Sequence, residues 1–407
     1  MSLRPLSRIG VLCTLFAVCL AGCIAVAGAL SPARAVEVKV GVLRIDYPVL
    51  VPVSRYDLTP DDLGFAGARL GTEDNQTTGS FLGNDFSLET LAVTPDDAVA
   101  AARELIGKGN RLLVVLGNGE DILRVADAAG EEALVFNASA PDDVLRDSEC
   151  RPNLIHVAPS RAMLADAVAQ FLIWKKWNRW FLIEGSNPDD KKLGEAYRRS
   201  AAKFGAKIVE ERVFEDTGGS RRSDSGMVLV QRQIPVFTQD AAEHDVIVAA
   251  DESDVFALYL PFHSWEPRPV AGSAGLRPVS FDPTTEAWGA TQFQRRFEKL
   301  TGRYIHPEDY NAWLASRVIG EAVTRTSSAE PQALKDYLLS DAFELAAFKG
   351  QKVTFRPWNG QLRQPVLLTD SKITVSVSPQ EGFLHQRSPL DTMGLDEPES
   401  ACKAFDS

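Results

Sequence analysis

The sequence is short of the residues that carry most catalysis and metal binding: 407 residues hold five histidines and five cysteines. His156, His244, His263, His306 and His385 are scattered, without the local spacing a metal site needs. Five cysteines over this length exclude a disulfide-dense scaffold. No G-x-x-x-x-G-K-[ST] loop, G-x-G-x-x-G turn, H-E-x-x-H pair or G-x-S-x-G elbow is present. The residues therefore indicate no enzyme class and no cofactor. Basic residues are in the minority, 43 against 55 acids, for a formal charge of −12. That balance opposes binding to nucleic acid, whose phosphates select basic surfaces, and opposes lying on anionic lipid. Beyond the N-terminus no apolar run approaches the roughly 20 residues that span a bilayer.

What is present begins with the N-terminus. Residues 1–35 contain Arg4, Arg8 and Arg34 and no acid, and Ile9 to Leu30 is free of charge. Ala33-Arg34-Ala35 follows as a small-x-small site, so the segment reads as a secretory signal cleaved after Ala35. Two alternatives stand beside it: a retained anchor, and a lipoprotein in which Leu20-Ala21-Gly22-Cys23 is the lipobox and Cys23 the lipidated terminus. Cleavage removes Cys13, Cys19 and Cys23 and leaves 372 residues with a charge of −15. Cys150 and Cys402 remain. In an oxidising exported compartment they are expected to form one disulfide, the alternative being two buried thiols.

The mature chain alternates strand and helix signals. Val36 to Ile45 is a β-branched strand, and Arg111 to Leu116, Trp180 to Ile183 and Val246 to Ala250 are continuous apolar runs of the kind buried on both faces of a parallel sheet. Thr59-Pro60-Asp61-Asp62 and Thr94-Pro95-Asp96-Asp97 read as helix starts. The first helix is expected to fade near Gly71, and residues 70–84 are polar and glycine-rich. Ser160 to Trp177 is the strongest helix signal. Repeated β-α-β alternation implies parallel sheets covered by helices.

In such sheets ligands bind beyond the carboxyl ends of the strands. Four strands here end in small polar turns: Gly117-Asn118-Gly119, Asn137-Ala138-Ser139, Glu184-Gly185-Ser186-Asn187 and Asp251-Glu252-Ser253. Their amides and hydroxyls suit an anionic end of a small polar solute and their acids suit an amine. The candidate contacts are Asn118, Gly119, Asn137, Ala138, Ser139, Glu184, Ser186, Asp251 and Glu252. Small polar residues also end strands and cap helices for purely structural reasons, so each of these has a bland alternative. Asp61-Asp62 and Asp189-Asp190 are read as helix-start acids.

The mature-start strand VEVKVGVL, then LIHVAPSRAMLADAVAQFL and KKWNRWFLIEG, resemble in order the type I periplasmic binding proteins of the branched-chain amino-acid class. The strings RPVAGSAGL, EAWGATQFQRRFEKLTGR, FKGQKVTFRPWNGQLRQPVLL and SPQEGFLHQ resemble more narrowly the ABC-transporter binding proteins associated with pyrroloquinoline-quinone (PQQ)-dependent alcohol dehydrogenase systems. The resemblance implies an α/β chain with the type I periplasmic-binding-protein fold: two Rossmann-like lobes with parallel sheets joined by a three-stranded hinge. It places lobe one over 36–157 plus about 269–340, lobe two over 158–268 plus about 341–378, and a C-terminal tail over 379–407. It implies a periplasmic, non-enzymatic protein that binds a small-molecule ligand by hinge closure. Its partners would be a transporter permease and components of the PQQ-dependent dehydrogenase system. In amino-acid binders the matching turns hold the ligand's carboxylate and amine. Of those positions only Ser139 keeps the hydroxyl type, and the amine-holding acid maps near Asp251 or Glu252. The alternative function is an exported accessory or sensor protein that docks a dehydrogenase or membrane partner.

Overall fold

The computed structural model describes residues 36–48, 58–216, 230–370 and 372–405. The expected signal over 1–35, with Cys23, and most of the Gly/Ser/Arg-rich segment after Asp216 lie outside the described residues. In chain order the first half holds β1 (Glu37–Ile45), α1 (Phe65–Leu82), β2 (Asp85–Val93), α2 (Ala98–Gly107), β3 (Leu112–Leu116), α3 (Gly119–Ala129), β4 (Leu134–Asn137) and β5 (Leu154–His156). Then come α4 (Arg161–Trp174), β6 (Arg179–Gly185), α5 (Pro188–Phe204), β7 (Lys207–Phe214), α6 (Val230–Thr238), β8 (Val246–Ala250), α7 (Leu260–His263) and β9 (Val270–Gly272). The remainder is β10 (Arg277–Val279), α8 (Ala290–Thr301), α9 (Pro307–Thr326), α10 (Pro331–Leu338), β11 (Leu345–Ala346), β12 (Lys352–Phe355), β13 (Leu362–Arg363), β14 (Val366–Thr369) and β15 (Thr374–Ser378).

Two parallel sheets organise the chain, one in the order β2-β1-β3-β4-β5 and one in the order β7-β6-β8-β9. Their apolar runs are buried on both faces, as alternating side chains require. Along β3, Leu112, Val114 and Leu116 face α1, α8 and α9, whereas Leu113 and Val115 face α2 and α3. Along β6, Trp180 and Leu182 face α4 and α5, whereas Phe181 and Ile183 face α6 and the segment leading into α7. Among the described residues no helix is long and apolar enough to cross a membrane, and no group of acids, histidines and cysteines is arranged to hold a metal.

Two sequence expectations need correction. The first helix does not fade near Gly71: α1 runs on to Leu82. Its glycines serve contact with α9. A methyl group built on Gly67 would lie 1.8 Å from the Asp309 carbonyl oxygen, and one on Gly71 would lie 2.7 Å from Ser316 Cβ. Asn75 donates from this helix to the Ser316 carbonyl at 2.7 Å. Close helix approach thus outweighs the low helix propensity of glycine.

The lobe bounds shift at two places: β9, expected in lobe one from about 269, pairs with β8 and packs in the second lobe, and the stretch 341–378 does not go wholly with the second lobe. Phe343, Leu345, Val353, Phe355 and Leu362 pack in the first lobe's core. The change of lobe falls within β14, where Leu367 faces the first core and Val366 and Leu368 face the second.

The C-terminal tail is packed on the body, and the expected Cys150–Cys402 bridge is present. Leu390 and Met393 are buried in the second core, and Cys402 is disulfide-bonded to Cys150 with Cα atoms 5.7 Å apart.

Candidate functional site

The carboxyl ends of both sheets supply the turns singled out above. On the first lobe Asn118 caps α3: its side chain accepts from the Asp121 N–H at 2.9 Å, and its own N–H donates to the Tyr47 hydroxyl at 2.9 Å. The Tyr47 hydroxyl donates to Asp121 at 2.8 Å. The Ser139 hydroxyl accepts from the Gly117 N–H and donates to the Gly117 carbonyl, both at 2.7 Å. It therefore ties the turn after β3 to the turn after β4. Asn137 is fully buried and holds its own turn, accepting from Ser139 and Ala140 N–H and donating to the Ala140 carbonyl. Ala138 lies in the core. Gly119 has a different use. A Cβ there would sit 2.7 Å from an Asp142 carboxylate oxygen, so the bare glycine lets Asp142 lie against the start of α3. A negative group is favoured at that end of a helix.

On the second lobe Asp251 is consumed by its own chain. Its carboxylate accepts from the N–H groups of Val255, Phe256 and Ala257 at 2.7–2.8 Å. Glu184 is paired to Arg198 at 2.8 Å. Ser186 accepts from the Asp216 N–H at 2.9 Å. Of the two acids mapped to an amine-holding role, only Glu252 has its carboxylate in the space between the lobes.

Glu252 meets Arg161, the first residue of α4, whose Nε lies 2.8 and 3.0 Å from its two oxygens. The same guanidinium reaches Asp142 of the first lobe at 2.8 Å and Asp189 at 3.5 Å. Lys192 of α5 adds contacts to Asp189 at 2.9 Å and Asp142 at 3.4 Å. Arg161 has a side-chain exposure of 6%. The lobes therefore meet through a buried cation flanked by acids from both. Asp142, Arg161 and Lys192 were missed in the sequence, and Asp189 was read as a helix-start acid alone. The start-of-helix reading holds for Asp190, which accepts from the Asn187 N–H and forms the capping box of α5.

Burial and charge act differently on the acids around Arg161. Burial alone would raise the Asp142 carboxyl, but Arg161 and Lys192 hold it below its ordinary value. At Glu252 burial dominates and pushes the carboxyl up to about 7, with Arg161 only partly opposing it. The folded protein therefore holds a proton at Glu252 that the unfolded chain releases at an ordinary carboxylate value. The resulting stabilisation is complete below the unfolded pKa and is lost as pH rises through the folded one. Between about pH 5 and about pH 8 the wild type should lose more thermal stability than Glu252→Gln, which cannot titrate. Parallel melting curves for the two proteins would contradict this assignment.

Two parallel α/β lobes, a shared set of chain crossings and a site where their strand ends face one another define the type I periplasmic-binding-protein fold. The comparisons agree. A family model described as "Periplasmic binding protein" matches residues 63–223. A branched-chain amino acid ABC transporter periplasmic ligand-binding protein from Burkholderia xenovorans is similar at 20% identity and TM-score 0.68, over 91% of this chain and 100% of that one. An ABC transporter substrate-binding protein from Desulfitobacterium hafniense, in complex with Leu, is similar at 16% identity and TM-score 0.63, over 83% and 98%. A solute-binding protein from R. palustris in complex with benzoate is similar at 13% identity and TM-score 0.61, over 90% and 99%. No curated protein sequence matches the chain.

Proposed function

We propose that this chain is the periplasmic solute-binding component of an ABC transporter, exported by its N-terminal signal and serving a PQQ-dependent alcohol-oxidation system. It closes on a small polar solute between its lobes and performs no chemistry on it. The observation that carries the reading is the Asp142–Arg161–Glu252 contact. It joins a strand-end turn of one lobe to a strand-end turn of the other, where open α/β sheets take their ligands. The similar folds whose structures are complexes with Leu and with benzoate support capture of a small solute. The sequence strings RPWNGQLRQP and SPQEGFLHQ support the link to alcohol oxidation. The solute would meet Ser139 from the first lobe and Ser186 and Glu252 from the second, and an anionic group on it would have to displace Asp142 or Glu252 from Arg161.

The test is a thermal-shift screen of the mature protein against amino acids, alcohols, aldehydes, carboxylic acids and quinone cofactors. A solute at about 100 times its Kd should add about 2.7 kcal/mol of stability. For a solute so found, Glu252→Ala and Arg161→Ala should each weaken binding by about tenfold or more. No shift with any solute would overturn the receptor reading. A second reading is favoured by one observation: Arg161 and Lys192 are paired with Asp142, Asp189 and Glu252, so the contact between the lobes is made by the chain's own charges. On that reading the chain is an exported accessory protein that docks a dehydrogenase or membrane partner, and co-purification with the dehydrogenase would replace solute binding.

A further inference from the structure

The C-terminal segment from Pro379 onward runs across both lobes. Just before it, Ser378 donates to the Ala167 carbonyl of α4, and Gln380 N–H then donates to Gln170 of the same helix. Leu390 and Met393 enter the second core. The Gly394 N–H donates to Asp166 at 2.8 Å, and its carbonyl accepts from Arg199 at 2.8 Å and Lys203 at 2.9 Å of α5. Glu399 pairs with Arg199 at 3.1 Å. Every one of these anchors is on the second lobe.

Immediately afterwards the chain changes sides. Ser400 donates to the Arg146 carbonyl at 3.3 Å, Ala401 N–H donates to Asp147, and Cys402 is bonded to Cys150. These anchors follow β4 and precede β5, on the first lobe. The short path from Glu399 to Cys402 reaches about 10 Å at full extension. From Gly394 the reach is about 27 Å.

The segment also grips the crossings between the lobes. Asp391 accepts from Arg356 and Arg363, which flank the turn joining β12 to β13. Gln361 accepts from Arg146 and donates to the His156 and Ala158 carbonyls, and Gln364 donates to the Val157 carbonyl. The chain leading into β14 is thus stitched to the crossing after β5, and the tail holds the former through Asp391.

We infer that residues 379–402 form a strap that limits how far the two lobes separate, with the Cys150–Cys402 bond as its fixed end. Any separation that carries α5 away from Cys150 is limited to what the chain from Glu399 to Cys402, about 10 Å at full extension, can span. Cys150 and Cys402 are 8% and 4% exposed, so the bond is a lasting member of the hinge. The inference concerns the motion on which solute capture rests, and its test uses no solute, so either can fail alone.

The test is hydrogen–deuterium exchange of the mature protein over 154–160 and 354–367, with the radius of gyration from X-ray scattering. Two variants are compared with wild type: Cys150→Ser with Cys402→Ser, and a chain with about six Gly/Ser residues inserted between Glu399 and Ser400, enough to add roughly 20 Å of reach. The second keeps the bond and only lengthens the strap. Both should speed exchange at the crossings by about tenfold while β3 and β8 exchange as in wild type, and both should raise the radius of gyration. Wild-type exchange at the crossings in the lengthened chain would overturn the inference. If the serine variant also unfolds β3 or β8, the lengthened chain alone decides.

Discussion

Asp391→Ala should cost about 3–5 kcal/mol of stability, because it strands two buried cations. Arg356 and Arg363 have side-chain exposures of 1% and 11%, and their Nε groups lie 2.9 and 2.8 Å from one Asp391 oxygen. Arg356 keeps carbonyl partners at Leu390, Met393 and Leu395, so its hydrogen bonds survive in part while its charge loses its counterion. Burial already pulls the Arg356 guanidinium below its ordinary pKa, with Asp391 opposing that. The penalty is therefore mainly uncompensated charge. Urea denaturation followed by tryptophan fluorescence measures it. A loss below about 1 kcal/mol would show that water reaches the site and that the charges are not buried as described. A triple variant, Asp391→Leu with Arg356→Met and Arg363→Met, should recover most of the loss, since an apolar set of similar volume needs no counterion.

That prediction rests on a stretch whose letters were conspicuous in the sequence and whose physics was not. The string Arg356 to Pro365 drew attention as a resemblance. Its work depends on partners far along the chain, downstream at Asp391 and upstream at Arg146 and His156. The buried strands were legible because their signal is local. Val246–Ala250 is a strand over the very residues its apolar run suggested, and β3 begins just inside the run from Arg111. Helix α1 was misread because its glycines answer to a backbone distant in sequence, that of Asp309. The site was half legible. The pattern showed which turns follow β3, β4, β6 and β8, but residue type alone could not tell a side chain aimed between the lobes from one folded back on its own amides. Asp251 and Glu252 are adjacent acids; one caps three N–H groups and the other meets Arg161. Arg161 was missed altogether, because Asp142 and Glu252 lie 19 and 91 positions from it.

Replacing Cys150 and Cys402 together by serine should lower the unfolding free energy by up to about 5 kcal/mol, the chain-entropy value for so long a loop. The bonded residues are 252 positions apart, so the bridge restricts most of the unfolded mature chain. The secondary structure of each lobe is little affected, because the hydrogen bonds lost with the bridge are only those that seat its end, Ser400 to the Arg146 carbonyl and Ala401 to Asp147. The cost thus falls mainly on the unfolded state, and the native far-UV spectrum should be unchanged. Denaturant titration of the oxidised wild type and the serine variant measures the difference. Unreduced, denatured mature wild type should titrate no free thiol. A change under about 1 kcal/mol would mean that the bridge restrains little of the unfolded chain. The position of the bond adds a second consequence. It joins the first lobe to a segment whose apolar anchors, Leu390 and Met393, are in the second core. Its loss removes the one covalent tie among the described residues that is not a backbone crossing. The two lobes should then unfold less cooperatively, and a single transition in the wild type should broaden or divide in the variant.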